Sequence, residues 1–284
     1  MRRADIHPSD MQDDYTCKQP VETYTDDDHA TWKLLYQRQR EVLRNRTCKE
    51  FMDSLERLGI VAQGIPDFRD INAILSDATG WNIVCVPGLI PDTVFYDHLA
   101  KRQFPVSFWI RSREELDYLV EPDVFHDLFG HVPLLINPIF ADYMEAFGRG
   151  GVKATKLGYT QYLARLYWFT VEFGLMRTKD GIRIYGSGIV SSKEESIYCL
   201  ESSVPNRVGF DLKRIMRTDY RIDDLQKTYF VIDSFDQLFD ATFQDFVPIY
   251  EEIAKQPTLA STDITAEDHV YQRGTIATTA AADG

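Results

Sequence analysis

The feature that most limits how this chain can fold is a stretch from residue 159 to about residue 176. On a helix it is apolar on nearly every side, through Leu163, Leu166, Tyr167, Trp168, Phe169, Val171 and Phe173. A surface helix has one apolar and one polar face, whereas a helix that is apolar all round is buried in the middle of a domain. The sequence therefore predicts a long central helix with the other elements packed around it.

The sequence before this stretch predicts more helices and a few strands. A first helix is expected after Asp28 as N-cap and a second is expected to end at Gly59, because apolar residues recur at helical spacing, at Trp32, Leu35, Tyr36, Leu43, Phe51, Leu55 and Leu58. Residues 81–86 and 104–110 are rich in aromatic and β-branched side chains and are predicted strands. The predicted fold class is mostly α with a few short β-strands.

Length and composition fit one folded domain between two polar ends. The chain has 284 residues, and 44% of them are apolar, which is enough for a full core. Residues 1–27 form an acidic arm, and residues 256–284 are rich in Ala and Thr without an amphipathic period. Such segments bury too little surface to offset the entropy of ordering them. We expect disorder at both ends and one domain over residues 28–255.

Charge and cysteine content exclude several classes of protein. A net charge of −13 argues against a general nucleic-acid surface, which needs clustered Lys and Arg. The four cysteines form no CxxC pair, so neither a disulfide framework nor a cysteine-based zinc site is expected. The sequence has no run of about 18 apolar residues and no apolar stretch at its N-terminus. We expect a cytoplasmic protein that binds neither nucleic acid nor membranes.

Glu172 is the polar exception in the predicted central helix. A buried carboxylate loses several kcal/mol of hydration unless something positive compensates for it. The side chain should therefore be protonated, paired with a cation or bound to a metal ion. Taken alone, a structural pair with an arginine is the commoner arrangement.

Two histidines in residues 121–133 make a metal site the stronger interpretation. His126 and His131 are five positions apart among bulky apolar neighbours. On a regular helix that spacing separates two side chains by about 140°, unlike the same-face pair of an HExxH zinc protease. Gly130 and Pro133 predict that a helix here ends near His131, which would leave its ring free to turn toward His126.

Two imidazoles and one carboxylate form the ligand set of mononuclear non-haem iron(II), in which the remaining coordination positions stay open. The same set also binds zinc in thermolysin-type hydrolases. The types of the three residues therefore leave both metals open.

Four longer motifs carry a resemblance to a known family. They are VPGLIPDTVFYDHLA (86–100), EPDVFHDLFGHVPLL (121–135), ARLYWFTVEFGL (164–175) and IYGSGIVSSKEESIYCL (184–200). From about residue 28 to residue 250 the chain resembles the pterin-dependent aromatic amino acid hydroxylases, most closely their short bacterial members that act on phenylalanine. The resemblance implies the catalytic-domain fold of that family, with iron(II) and a tetrahydropterin as cofactors and conversion of L-phenylalanine to L-tyrosine with O2.

The resemblance also implies roles for individual residues. The iron ligands would be His126, His131 and Glu172, with Ser191 in a hydrogen bond near the first of them. The pterin would be bound by Gly88, Leu89, Ile90, Asp92, Phe95, Asp127 and Tyr167, with Phe95 stacked on the ring. Animal members carry glutamate at the position of Asp127. The amino acid substrate would be bound by Arg111, which Asp123 holds in place, and by Trp168, Phe173, Gly188 and Ser191.

Three alternatives remain. Tyrosine or tryptophan hydroxylation is possible within the family, although Ile222 is apolar where tyrosine hydroxylases carry an acid, which favours phenylalanine. A zinc hydrolase with the same three ligands and a metal-free pterin-binding or scaffolding module are alternatives of other classes. Animal members have a regulatory domain before this core and an assembly helix after it. The sequence shows neither, so we expect a monomer.

Overall fold

The fold was described from a computed structural model, which covers residues 11–276 except Tyr118 and Val120. The helices are α1 Asp26–Val42, α2 Lys49–Arg57, α3 Phe68–Thr79, α4 Asp92–Ala100, α5 Pro138–Leu157, α6 Thr160–Tyr167, α7 Ser187–Val190, α8 Lys193–Glu201, α9 Leu212–Met216, α10 Phe235–Ala241 and α11 Phe246–Ile253. The strands are β1 Asn82–Val86, β2 Gln103–Ser107, β3 Leu175–Thr178, β4 Gly181–Ile184, β5 Asn206–Gly209, β6 Thr228–Ile232 and β7 Val270–Gln272. The predicted class, mostly α with short strands, is confirmed.

Two segments between these elements are π-helices, His126–His131 and Trp168–Glu172. Short 3₁₀ helices occur at Val21–Thr23, Arg113–Glu115 and Val132–Ile136. Both π-helices contain residues of the predicted metal site. Their geometry decides how that site is built.

The strands form two small sheets. β1 and β2 pair in parallel, which confirms the two predicted strands with small shifts in their bounds. The second sheet has the order β4-β3-β6-β5-β7 and mixes parallel and antiparallel pairs. None of these five strands was predicted. They are three to five residues long, too short for an alternating pattern to stand out from the apolar background.

Close packing of helices and rings positions the segment that carries the histidines. In α1, Trp32 packs edge-on against Phe125 with ring centroids 5.3 Å apart, and Phe125 stacks on Phe129 at 4.7 Å. α4 and α5 approach closely because Gly148 and Gly151 carry no side chain there. A Cβ on Gly151 would lie 2.2 Å from the Tyr96 ring.

The start of α1 differs from the prediction. Thr25 is the N-cap, and Asp28 is the third helical residue. The Thr25 hydroxyl accepts the N–H of Asp28 at 3.2 Å, and the Asp28 carboxylate accepts the N–H of Thr25 at 2.8 Å. This is a capping box, so Asp28 satisfies a backbone donor from within the helix. α2 ends at Arg57, just before Gly59 with φ +64°, as predicted.

The predicted central helix is wrong in its extent. Regular α-helix ends at Tyr167, a π-helix continues to Glu172, and β3 begins at Leu175. Gly174 fits between the two because a Cβ there would lie 2.1 Å from the Tyr185 ring. The 20-residue α5 is longer. The prediction failed because a continuous apolar run is compatible with both a buried helix and a buried strand.

The prediction of disordered ends is wrong for residues 11–27 and 256–276, and its remainder lies outside the described residues. Near the N-terminus, Cys17 donates its N–H to the carbonyl of Cys85 at 2.9 Å. Near the C-terminus, β7 pairs with β5, and Asp268 accepts a hydrogen bond from buried Arg214 at 3.0 Å. Backbone pairing and a buried ion pair order these polar segments, and neither leaves an amphipathic pattern in the sequence.

None of the described helices combines the length and the apolarity that a membrane span requires.

A buried carboxylate in α8 leads to a pH-dependent prediction. Glu195 is buried and accepts hydrogen bonds from the N–H of Gln226 at 3.1 Å and from the Tyr229 hydroxyl. Burial raises the pKa of Glu195 from 4.5 to about 7. A raised carboxyl pKa contributes stability that is complete below pH 4.5 and is lost as the pH rises to about 7.

We therefore expect Glu195→Gln, which keeps an acceptor for both donors, to gain stability relative to the wild type as the pH rises. The difference in unfolding free energy should grow by about 2.5 kcal/mol between pH 5 and pH 8, measured by urea unfolding of metal-free protein. The exposed Glu251→Gln is the control. A difference that stays constant with pH would contradict the buried, titrating state of Glu195.

Candidate metal centre

Three side chains from two π-helices converge on one point. Nε2 of His131 lies 3.1 Å from Nε2 of His126 and 3.1 Å from Oε1 of Glu172, and Nε2 of His126 lies 3.7 Å from Oε2 of Glu172. Ligands on one face of an octahedron with bonds of about 2.1 Å are separated by about 3 Å. Among the described residues, this is the group of His, Cys, Asp and Glu whose donor atoms could hold a metal ion.

The π-helix explains how two histidines five positions apart can face one another. A π-turn closes its hydrogen bond from residue i to residue i+5, so His126 and His131 are neighbours along the segment. The predicted end of this helix near His131 is confirmed, since the π-helix ends there and a 3₁₀ helix follows. The two rings meet because of the π-turn, and not because the His131 ring is freed, as the sequence had suggested. The second π-helix ends on Glu172, and the N–H of Phe173 donates to the carbonyl of Trp168 at 2.8 Å.

A hydrogen-bond chain fixes the tautomer of His126. The Ser191 hydroxyl donates its single proton to the carbonyl of Ser187 at 2.8 Å, since a carbonyl can only accept. Nδ1 of His126 lies 2.8 Å from the oxygen of the same hydroxyl, so Nδ1 must be the donor in that hydrogen bond. Nε2 of His126 therefore carries no proton, and its lone pair faces Nε2 of His131 and the carboxylate of Glu172. Burial lowers the pKa of His126, which also favours the neutral ring that a metal needs.

Glu172 is held as a carboxylate. The Ser187 hydroxyl donates to its Oε2 at 2.9 Å. Burial raises the pKa of the Glu172 carboxyl, but the imidazoles of His131 and His126 and the Ser187 hydroxyl outweigh burial and lower it to about 2. Gly188 gives this side chain room, because a Cβ there would lie 3.1 Å from Oε2 of Glu172.

Arg111 and Asp123 form a buried pair beside the centre. Nε and Nη2 of Arg111 each donate to a different oxygen of Asp123 at 2.8 Å. Burial raises the pKa of Asp123, but the guanidinium of Arg111 outweighs it, and the pKa lies below its usual value. Asp123 also accepts the N–H of His126 at 2.9 Å. One carboxylate thus connects the guanidinium to the backbone of a ligand residue.

The residues predicted for the pterin reach the centre through aromatic contacts. The rings of Phe95 and Tyr167 are 5.6 Å apart, and Tyr167 lies nearly parallel to the ring of His131 at 6.1 Å. Phe104, which was not predicted, lies 4.9 Å from the ring of His131. Gly88, Leu89 and Ile90 lie between β1 and α4, and Asp92 is the first residue of α4, the helix that carries Phe95.

Asp127 is buried next to His126 in the sequence and is held from β2. Its Oδ2 accepts the N–H of Ser107 at 2.8 Å and the Ser107 hydroxyl at 2.7 Å. Burial raises the pKa of Asp127. Ser107 was not predicted, because it is 20 residues away and lies in a strand that looks like ordinary core.

Trp168 and Phe173 lie together at the two ends of the second π-helix, with ring centroids 4.6 Å apart. Tyr220, which was not predicted, stacks on Trp168 at 4.4 Å. Gln226 accepts the indole N–H of Trp168 at 2.9 Å. Both residues come from the segment between α9 and β6, and no local pattern links them to the ligand motifs.

Comparisons with known proteins agree with this geometry. A family model described as biopterin-dependent aromatic amino acid hydroxylase matches residues 1–270. Phenylalanine-4-hydroxylase of Chromobacterium violaceum is 60% identical over 272 residues, which are 96% of this chain and 92% of that protein. The enzyme of the same name from Ralstonia nicotianae is 60% identical over 265 residues, which are 93% and 85% of the two chains.

A solved structure of the phenylalanine hydroxylase of Chromobacterium violaceum bound to cobalt matches with a TM-score of 0.90 and 62% identity. The match covers 92% of this chain and 94% of that one. The predicted catalytic-domain fold is therefore confirmed.

Proposed function

The chain belongs to the biopterin-dependent aromatic amino acid hydroxylase family, and we propose that it hydroxylates L-phenylalanine to L-tyrosine with O2 and a tetrahydropterin. The observation that carries the proposal is the convergence of His126, His131 and Glu172 on one point. These residues come together in a chain 60% identical to two bacterial phenylalanine-4-hydroxylases.

We propose that these three side chains hold iron(II), which together with the tetrahydropterin supplies the electrons for the activation of O2. The donor set suits this metal because it combines two neutral imidazoles with one carboxylate and covers a single face. The protein's own contribution is to fix the ligands before the metal binds. Ser191 sets the tautomer of His126, and Ser187 orients Glu172.

In this proposal the pterin lies against Phe95, near Tyr167. A flat heteroaromatic ring needs an aromatic surface and polar groups at its edge. The proposed edge contacts are Gly88, Leu89, Ile90, Asp92 and the buried carboxyl of Asp127. The aromatic contacts from Phe95 through Tyr167 to His131 support a position next to the metal ligands.

The substrate is proposed to bind through Arg111 at its carboxylate and through Trp168, Phe173 and Gly188 around its ring. Asp123 occupies two of the guanidinium's donor nitrogens and so fixes the plane of the group. Fixing both ends of the amino acid determines which ring carbon is nearest the metal ligands. The aromatic surroundings, which are partly buried, limit the access of water to the reacting ring.

Ser191→Ala should weaken metal binding without unfolding the protein. The substitution removes the acceptor for Nδ1 of His126, so Nε2 is no longer restricted to the unprotonated form. Loss of such a supporting contact typically lowers metal affinity by about 10-fold to 100-fold. Titration of metal-free protein with ferrous iron measures the effect, and Ser192→Ala, one residue further on, is the control. Equal affinities for the two variants would contradict this assignment.

The function is tested by measuring the hydroxylated amino acid that is formed and the pterin that is oxidised, with phenylalanine, tyrosine and tryptophan as substrates. We expect turnover to depend on ferrous iron and to be fastest with phenylalanine. A preference for tryptophan or tyrosine would move the assignment within the family. Full activity with zinc, or hydrolysis of an ester or a peptide, would favour the zinc hydrolase.

A cytoplasmic location and a monomeric state are part of the same proposal. The four cysteines are free thiols, which suits a reducing compartment. Sedimentation equilibrium tests the oligomeric state, and a stable tetramer would contradict a monomer.

A further inference from the structure

We propose that Gln226 is a positioning residue of the substrate pocket, which holds the indole of Trp168 and the loop carrying Tyr220 in one arrangement. The inference rests on the proposed function, since that function places Trp168 beside the substrate ring. Gln226 would act through Trp168 and would not touch the reacting atoms.

The side-chain amide of Gln226 has a partner for each of its polar groups. Its Oε1 accepts the indole N–H of Trp168 at 2.9 Å. Its Nε2 donates to the carbonyl of Arg221 at 3.0 Å and to the carbonyl of Asp224 at 3.1 Å. Turning the amide over would set a donor against the indole N–H and an acceptor against two carbonyls. The amide therefore has one allowed orientation.

The backbone of Gln226 is fixed as well. Its N–H donates to the carboxylate of Glu195 at 3.1 Å, which ties the residue to α8. Two residues later β6 begins, at Thr228. Gln226 is 4% exposed, so water does not compete for these contacts. A buried residue anchored through both backbone and side chain is a rigid support for whatever it binds.

Gln226 contacts two parts of the proposed pocket for the substrate ring. Its Nε2 contacts close the loop that carries Tyr220, and Tyr220 stacks on Trp168 with an interplanar angle of 16°. Its Oε1 holds Trp168 directly, and Trp168 in turn contacts Phe173. Loss of the amide would release the loop and the indole together. The metal ligands keep their own supports, Ser191 and Ser187.

This arrangement predicts a particular pattern of defects. Gln226→Met has nearly the same shape but no hydrogen bonds to the indole or to the loop. We expect the KM for phenylalanine to rise about 10-fold. The tyrosine formed per pterin oxidised should fall at least twofold, because a substrate ring that moves in its pocket is hydroxylated less often. Iron affinity should stay within about twofold of the wild type, since the ligand supports are untouched.

The matched control is Gln19→Met. Gln19 is also buried and organises a loop, through the carbonyl of Pro66 at 2.9 Å and the N–H of Phe68 at 2.8 Å. Its loss should lower thermal stability without changing the KM or the coupling of pterin oxidation to tyrosine formation. A purely structural role of Gln226 predicts the same result for both variants.

A second readout needs no activity. In ¹⁵N-labelled metal-free protein, the indole resonance of Trp168, assigned with Trp168→Phe, should move in Gln226→Met and stay in place in Gln19→Met. Gln226→Glu keeps the acceptor for the indole and loses the two donors to the loop. We expect Gln226→Glu to leave the indole resonance near its wild-type position while the KM for phenylalanine still rises. This variant replaces Gln226→Met in the test if Gln226→Met does not fold.

The decisive comparison is the double variant. In the Trp168→Phe background, where the indole N–H is already absent, adding Gln226→Met should lower the coupling by less than it does in the wild type. An unmoved indole resonance, an unchanged KM and coupling, or equal losses in both backgrounds would overturn the proposal. If the wild type forms no tyrosine, the proposed function fails, whereas the indole resonance still tests the contact itself.

Discussion

Glu172→Gln is expected to reduce iron-dependent tyrosine formation to below about 1% of the wild type, the largest loss of activity that we predict for one substitution. The amide has the shape of the carboxylate but carries no charge and offers one acceptor oxygen. Loss of a contact that merely supports a ligand costs about 10-fold to 100-fold in affinity, so loss of the anionic ligand itself should exceed that range. Ferrous iron titration and tyrosine formation measure the two effects.

The fold should survive this substitution. The amide of the variant can still accept the hydrogen bond from Ser187, so that buried donor keeps its partner. Glu145→Gln is the matched control, because its side chain is 15% exposed, compared with 14% for Glu172, and it pairs with Arg102. Both variants should remain folded and unfold cooperatively in urea when metal-free. A Glu172→Gln protein with wild-type iron affinity would remove this residue from the ligand set.

The three residues of the candidate metal centre could be picked out from the sequence because they stand out chemically. A lone glutamate in an apolar run and two histidines among bulky apolar residues are expensive to bury, so each demands a compensating partner. What could not be predicted was the backbone that brings them together. A π-helix is rare and depends on packing from outside the segment, here the rings of Tyr36 and Phe51 against Phe129.

The fold likewise has elements that could be predicted from the sequence and elements that could not. The helices α1 and α2 were predicted within a few residues, since their apolar residues recur at helical spacing. In the larger sheet, β3 and β4 form a local hairpin, but every other pairing joins segments far apart in sequence. Ser107, Ser187, Tyr220 and Gln226 were missed for a related reason. A serine or glutamine carries no local mark of the partner it will meet.

Asp123→Leu is expected to be the most destabilising of the substitutions considered. Asp123 is fully buried. Its carboxylate accepts two hydrogen bonds from the guanidinium of Arg111, one from the backbone N–H of Arg111 and one from the backbone N–H of His126. Removing one partner of a buried ion pair costs about 3–5 kcal/mol, because the other charge is left uncompensated. Urea unfolding of metal-free protein measures the loss.

A double variant separates this structural role of the pair from its proposed role in substrate binding. Arg111→Met with Asp123→Leu replaces both charges by apolar side chains, and such replacements are often neutral for stability. We expect the double variant to recover at least half of the stability that Asp123→Leu loses, while the KM for phenylalanine stays raised about 100-fold or more because the carboxylate has lost its bidentate partner. If stability and KM recovered together, Arg111 would have no part in binding the substrate. If neither recovered, the Asp123 carboxylate would act mainly by accepting hydrogen bonds from the backbone N–H groups, and less by pairing with Arg111.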